Sequence, residues 1–117
     1  MSDVTAKLAE LGLELPKPAA PVAAYVPAVE HGGLLYISGQ LPFRDGQVVT
    51  GLLGDDTDVA SGYDAARRCA LMLVAQIGQA LDGDWSRVER VVKLGVFVNS
   101  TPAFTDQAKV ANGASEL

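Results

Sequence analysis

Polar and apolar positions change period several times along this chain, and each change marks an element. From about residue 58 to 81, apolar side chains recur at Val59, Tyr63, Ala66, Ala70, Leu73, Ile77 and Leu81. Steps alternating between four and three put them on one face of a helix. Thr57 or Asp58 can cap its first free amides, and Gly83 stands where it should end. Over residues 87–98 the period becomes two. Val92, Leu94, Val96 and Val98 share one strand face, while Val91, Lys93, Gly95 and Phe97 form a mixed opposite face. Trp85 precedes this strand as a core residue.

The N-terminal third is less regular. Residues 1–15, with Leu8, Leu11, Leu13 and Leu15, predict a short helix, and Pro16, Pro18 and Pro21 make a stiff lead that cannot continue it. Short strands are predicted over 22–26 and 33–38, with Gly32-Gly33 as the tight connection. Asp45-Gly46 signals a further hairpin with a weak strand at Val48-Val49, followed by a loop from Gly51 to Asp56. A last helix should begin near Pro102, with Thr101 as its cap. The order β-β-β-α-β-α predicts one α+β domain over residues 1–117, a single sheet with both helices packed on one face.

Composition narrows the class. Of 117 residues, 49% are hydrophobic and 20% charged, the balance of a folded domain rather than a disordered chain. The formal charge of −5 argues against a nucleic-acid partner, since phosphate tracking calls for a basic face. No apolar leader follows the acidic start, and the longest apolar run, Cys69 to Ala75, is too short to span a bilayer. One cysteine excludes an internal disulfide and fits a reducing compartment, so the expected location is cytoplasmic.

The chemistry-bearing stretch is Leu34-Leu35-Tyr36-Ile37-Ser38-Gly39-Gln40-Leu41-Pro42. A short apolar strand ends in a small polar turn, where Ser38 offers a hydroxyl and Gly39 leaves room for a ligand beside the main chain. Pro42 cannot donate a ladder hydrogen bond. Other candidates are weaker. His31 sits in a turn, and no His or Cys cluster has metal spacing. Cys69 lies near the apolar face of the long helix and reads as a structural thiol. Asp55, Asp56 and Asp58 suit the positive end of that helix. Gly51-Leu52-Leu53-Gly54 makes no phosphate loop.

Ser-Gly-Gln-x-Pro after an apolar strand resembles the signature of the RidA/YjgF (L-PSP) family. Pro21–Pro27 resembles that family's N-terminal strand with its pocket-lining tyrosine, here Tyr25, and Val91–Asn99 resembles its long central strand. The resemblance covers roughly residues 16–117. It implies a chorismate-mutase-like trimer with clefts between subunits that take a small carboxylate, without cofactor or metal. Ser38 and Gly39 match the turn that contacts the bound acid. Asn112, in Val110-Ala111-Asn112-Gly113, matches a second-helix asparagine that reaches a neighbouring subunit's site. The trimer would also bury the mixed face of Val91, Gly95 and Phe97.

The family pattern runs on past Leu117 into a strand with an Arg-Ser-x-Val-type motif, whose arginine anchors the substrate carboxylate. The resemblance therefore implies a domain C-terminally incomplete relative to the family, with no catalytic residue of its own. Arg44, on a loop after the signature turn, is the local substitute. Two readings of function follow. One is hydrolysis of reactive enamine/imine acids to 2-keto acids and ammonia. The other is a non-catalytic carboxylate-binding or regulatory trimer. An endoribonuclease or translation inhibitor ranks last, on charge.

Overall fold

The structure is a computed structural model that describes residues 3–117. In chain order it comprises α1 (Val4–Glu10), β1 (Ala28–His31), β2 (Leu34–Ile37), β3 (Phe43–Arg44), β4 (Gln47–Val48), α2 (Val59–Ala80), a 3₁₀ turn (Trp85–Arg87) and α3 (Gln107–Ser115). The expected α+β class is what these elements form. The strands make two separate antiparallel ladders, β1-β2 and β3-β4, rather than one sheet. The chain divides into two compact units. One takes the N-terminal stretch through Gly39 and residues 71–92; the other takes Gln40–Ala70 and Lys93–Leu117.

In the first unit, α1 is shorter than the helix expected over 1–15, of which residues 1 and 2 lie outside the described residues. It stops where Leu13 N–H reaches back to the Leu8 carbonyl at 2.9 Å. The strand expected over 22–26 is absent. Residues 22–25 form bends, and Tyr25 N–H bonds the Ala23 carbonyl at 2.9 Å. Proline nitrogens at 21 and 27 bracket this stretch and can donate nothing to a ladder, so pairing starts only at Ala28. From there the register runs Ala28↔Ile37 to His31↔Leu34. Gly32 and Gly33 close the hairpin at φ 60° and 79°, the left-handed pair that a two-residue turn requires. The core of this unit gathers Met72, Ala75, Gln76 and Leu81. Trp85 is half-buried with its ring over Gly78, on the 3₁₀ turn rather than at the start of a strand.

In the second unit, β3 and β4 pair Phe43 with Val48 and Arg44 with Gln47. Asp45 and Gly46, at φ 50° and 79°, make the turn that the Asp-Gly pair predicts. The Gly51–Asp56 stretch is an ordered loop. Leu53 N–H bonds the Asn99 carbonyl and Thr101 N–H bonds the Leu53 carbonyl, each at 2.9 Å. Asn99 Nδ2 donates to the Gly51 carbonyl at 2.8 Å. So held, Leu53 is buried with Ala66 and Val110, flanked by Val59, Val98, Phe104 and Ala114. Asp58 accepts the Ser61 N–H at 2.8 Å, the expected cap of α2.

Three details differ from the sequence pattern. The buried stripe of α2 runs through Gly62, Ala66 and Ala70 and then Met72, Ala75 and Gln76, while Tyr63, Leu73 and Ile77 are only half-buried. Close packing favours small residues: at Gly62 even a methyl would touch Leu53 and Val110 at 3.0 and 3.1 Å. Residues 88–99 form no regular strand; Leu53 bridges to the next residue, Ser100, and its N–H bonds the Asn99 carbonyl. Their alternation survives: Leu94, Val96 and Val98 line an open groove of about 320 Å³ with residues of α3, and Phe97 is entirely exposed. Finally, α3 begins at Gln107 instead of Pro102. Thr101 is committed to Leu53 and then to a turn, its carbonyl accepting Phe104 N–H at 3.2 Å, so helix starts only beyond Phe104.

Candidate functional site

The Ser38-Gly39 turn follows directly from the last residue of β2. Ser38 is half-buried and Gly39 exposed. Ser38 N–H donates to the Pro27 carbonyl at 2.9 Å, extending the β1-β2 ladder by one bond. That bond draws the segment bearing Tyr25, two residues before Pro27, to the signature turn. Tyr25 is 44% exposed. Gly39 is not among the residues with left-handed φ, so turn geometry does not demand glycine there. Nor does packing: a Cβ built on Gly39 meets nothing within 4 Å, so open volume lies against the main chain there.

Asn112 belongs to the other unit, exposed on α3. Its neighbour Gly113 is buried against the Tyr63 carbonyl of α2, and Tyr63 Oη donates to Glu116 Oε2 at 2.7 Å. These two contacts set the rotation of α3 about its axis. The groove-lining residues Gln107, Ala108, Ala111 and Ser115 lie on one side of this helix, and Asn112 is not one of them. Tyr25, Ser38 and Gly39 therefore belong to one unit, where the Ser38–Pro27 bond ties the Tyr25 segment to the turn, and Asn112 belongs to the second.

The Ser38 hydroxyl beside an open glycine is a hydrogen-bonding group that suits a carboxylate or carbonyl oxygen better than proton abstraction. Shifted pKa values fall on other residues. The Leu52 N–H, then the Thr57 hydroxyl, hold the Asp56 carboxyl below its ordinary range. Ser61 does the same for Asp58. The hydrogen bond to Glu116 raises Tyr63. Burial pushes the Cys69 thiol up, in keeping with a structural thiol. His31 is exposed at the end of the β1-β2 hairpin. Among the described residues no group of three or more His, Cys, Asp and Glu is placed to hold a metal ion, and no helix is long and apolar enough to cross a membrane.

Of the arginines, Arg68 Nε meets Asp64 at 2.8 Å and Arg87 meets Glu30 at 2.9 Å, so each already has a carboxylate. Arg44 lies on β3 rather than on a loop. One residue that the sequence pattern passes over is Gln76, buried on α2, whose Nε2 donates to the Ala19 carbonyl at 2.9 Å. Its signal is a polar side chain four positions after Met72 on a helix, where the buried stripe should continue.

Known proteins resemble this chain over about three quarters of its length or nearly all of it. Protein TCP17 of Trypanosoma cruzi is 55% identical over 115 residues, covering 97% of this chain and 71% of that protein. The mitochondrial protein mmf1 of Schizosaccharomyces pombe is 30% identical over 86 residues, 74% of this chain and 45% of that protein. Among solved structures, Atu1372 of Agrobacterium tumefaciens, a protein of unknown function, superposes with a TM-score of 0.86 at 50% identity, over 98% of this chain and 70% of that one. A "putative endoribonuclease" of Shewanella oneidensis superposes with a TM-score of 0.85 at 33% identity, over 96% of this chain and 74% of that one. The family model described as "YjgF/chorismate mutase-like, putative endoribonuclease" matches residues 5–117, and the chain belongs to this YjgF family.

Proposed function

We propose that this chain is one RidA-like domain that takes a small 2-imino or 2-keto acid at the Ser38-Gly39 turn and assists hydrolysis of the imine. The observation that carries the reading is the Ser38 N–H to Pro27 carbonyl bond, which sets the Tyr25 segment beside a turn with open space at Gly39. The chemistry asks little of a protein. The carbon of a protonated imine is already electrophilic. Water adds to it, the carbinolamine loses its C–N bond, and a 2-keto acid and ammonium leave. Holding the acid and a water in line is the main requirement. Tyr25, Ser38 and Gly39 bind the acid, with Asn112 contributed by a neighbouring copy in a homotrimer. The fully exposed Phe97 supports such an assembly, since a neighbouring copy would bury it.

A second reading is carboxylate binding without turnover: the open Ser38-Gly39 turn offers hydrogen bonds for an acid and needs no group that activates water. Arg68 and Arg87 are paired with Asp64 and Glu30, and Arg44 is the guanidinium to test as a carboxylate clamp in either reading. Cleavage of RNA is the least favoured, because a net charge of −5 opposes phosphate binding.

The deciding experiment generates 2-iminobutyrate in situ and follows ammonia or 2-ketobutyrate release with and without the protein, alongside calorimetric titration of 2-ketobutyrate. Faster release that is lost in Tyr25→Phe and Ser38→Ala supports the hydrolase. Binding without faster release supports the second reading. Neither binding nor faster release removes both.

A further inference from the structure

We propose that Gln76 is a positioning residue for Tyr25, holding one end of the strap that carries it; this rests on Tyr25 as a ligand-facing residue. Gln76 is only 2% exposed, at the heart of the first unit's core. Burying an amide costs free energy unless it is hydrogen-bonded, and an apolar side chain of similar volume would pack there more cheaply. One bond of the amide goes to a specific and distant partner: its Nε2 donates at 2.9 Å to the carbonyl of Ala19, 57 positions earlier. Such a bond specifies a position more than it adds stability.

The partner lies in the segment least able to hold itself. Pro16, Pro18 and Pro21 have no N–H to give, so the lead makes no ladder and depends on its carbonyls being claimed. Gln76 claims the one at Ala19. The next fixed point downstream is the Pro27 carbonyl, taken by Ser38 N–H. Residues 20–26 between these points are all exposed, with Tyr25 N–H to the Ala23 carbonyl as their internal bond. This is a strap with two anchors, one in the core helix and one in the signature turn, carrying Tyr25 near the second. Releasing either anchor multiplies the conformations open to the strap and lowers the fraction that presents Tyr25 correctly.

The test uses the full chain with Gln76→Leu, or Gln76→Met if the first variant does not fold. Met72→Ala, in the same buried stretch of α2 but without a bond to the lead, is the control for simple loss of stability. Hydrogen exchange by mass spectrometry reads the strap without any ligand, and calorimetry with 2-ketobutyrate reads the site. Loss of one anchoring hydrogen bond should speed exchange at the Tyr25 amide about tenfold and weaken 2-ketobutyrate affinity by a similar factor. The Ser38 amide and the β1-β2 hairpin should exchange as before. Met72→Ala should lower the melting temperature and leave strap exchange and affinity in place. Unchanged strap exchange in the Gln76 variant overturns the proposal. So does an equal loss of affinity in Met72→Ala, or faster strap exchange with affinity unaltered. If the wild-type protein binds no 2-ketobutyrate, the reading of the site fails separately, and strap exchange alone decides the anchor.

Discussion

Replacing Gly113 with alanine should destabilise the protein, against the usual preference of helices. In an open helix interior alanine is favoured over glycine by about 1 kcal/mol. Here the added methyl would drive into the carbonyl oxygen of Tyr63, with the carbonyl carbon at 2.9 Å and the Ala66 methyl at 3.2 Å. The oxygen is part of the α2 backbone and cannot rotate away, so α3 must retreat. Retreat loosens Val110, 5% exposed between Leu53 and Ala66. Overpacking of a filled core costs about 1–3 kcal/mol, and a backbone obstacle belongs at the upper end. After the gain in helix propensity the net loss is about 2 kcal/mol, or about 8 °C in melting temperature. Retreat also separates Tyr63 Oη from Glu116, so Gly113→Ala and Tyr63→Phe should be coupled: the double variant should lose less than the sum of the two singles. Urea unfolding of the wild type, both singles and the double measures this. A Gly113→Ala protein as stable as the wild type, or more so, would refute the close approach of the two helices.

Three further outcomes are expected. Gly39→Val should leave the urea midpoint nearly unchanged, because the new side chain meets open space and the backbone φ is ordinary; it should abolish calorimetric binding of 2-ketobutyrate, and retained affinity would remove Gly39 from the site. Asp56 and Asp58 have folded pKa values below the ordinary aspartate value of 3.8, so the stability they contribute is present above that pH and is lost as pH falls through the lower folded values. Melting curves from pH 5 to pH 2 should therefore fall less steeply for Asp56→Asn/Asp58→Asn than for the wild type, and identical slopes would count against both hydrogen-bonded carboxylates. Phe97→Asp should shift the mass in light scattering from trimer to monomer with little change in secondary structure, since Phe97 makes no use of its own subunit's core; a wild-type monomer would contradict the assembly.

The long helix α2, its Asp58 cap, the Gly-Gly and Asp-Gly hairpin turns and the Ser38-Gly39 signature could all be read from residues alone. Each depends on neighbours within a few positions, through side-chain period, a capping oxygen or the φ that a turn demands. Even the alternation at Leu94, Val96 and Val98 is local, and it survives as one lining of the groove. What residues could not announce were features that need a partner far along the chain. A period-two segment becomes a strand only when another strand pairs with it along its length, and among the described residues, 88–99 carry the alternation without forming one. Thr101 looked like a helix cap until Leu53, nearly fifty positions earlier, took its N–H and delayed α3 to Gln107. Gln76 looked like one more polar helix residue, yet it is buried with its Nε2 donating to the distant carbonyl of Ala19. Tyr25 was legible as a candidate by its motif, but the tie between its segment and the signature turn, from Ser38 N–H to the Pro27 carbonyl, needed the fold. Local propensity is written in the order of residues, whereas the satisfaction of buried polar groups and the choice of helix face are settled only when distant segments meet.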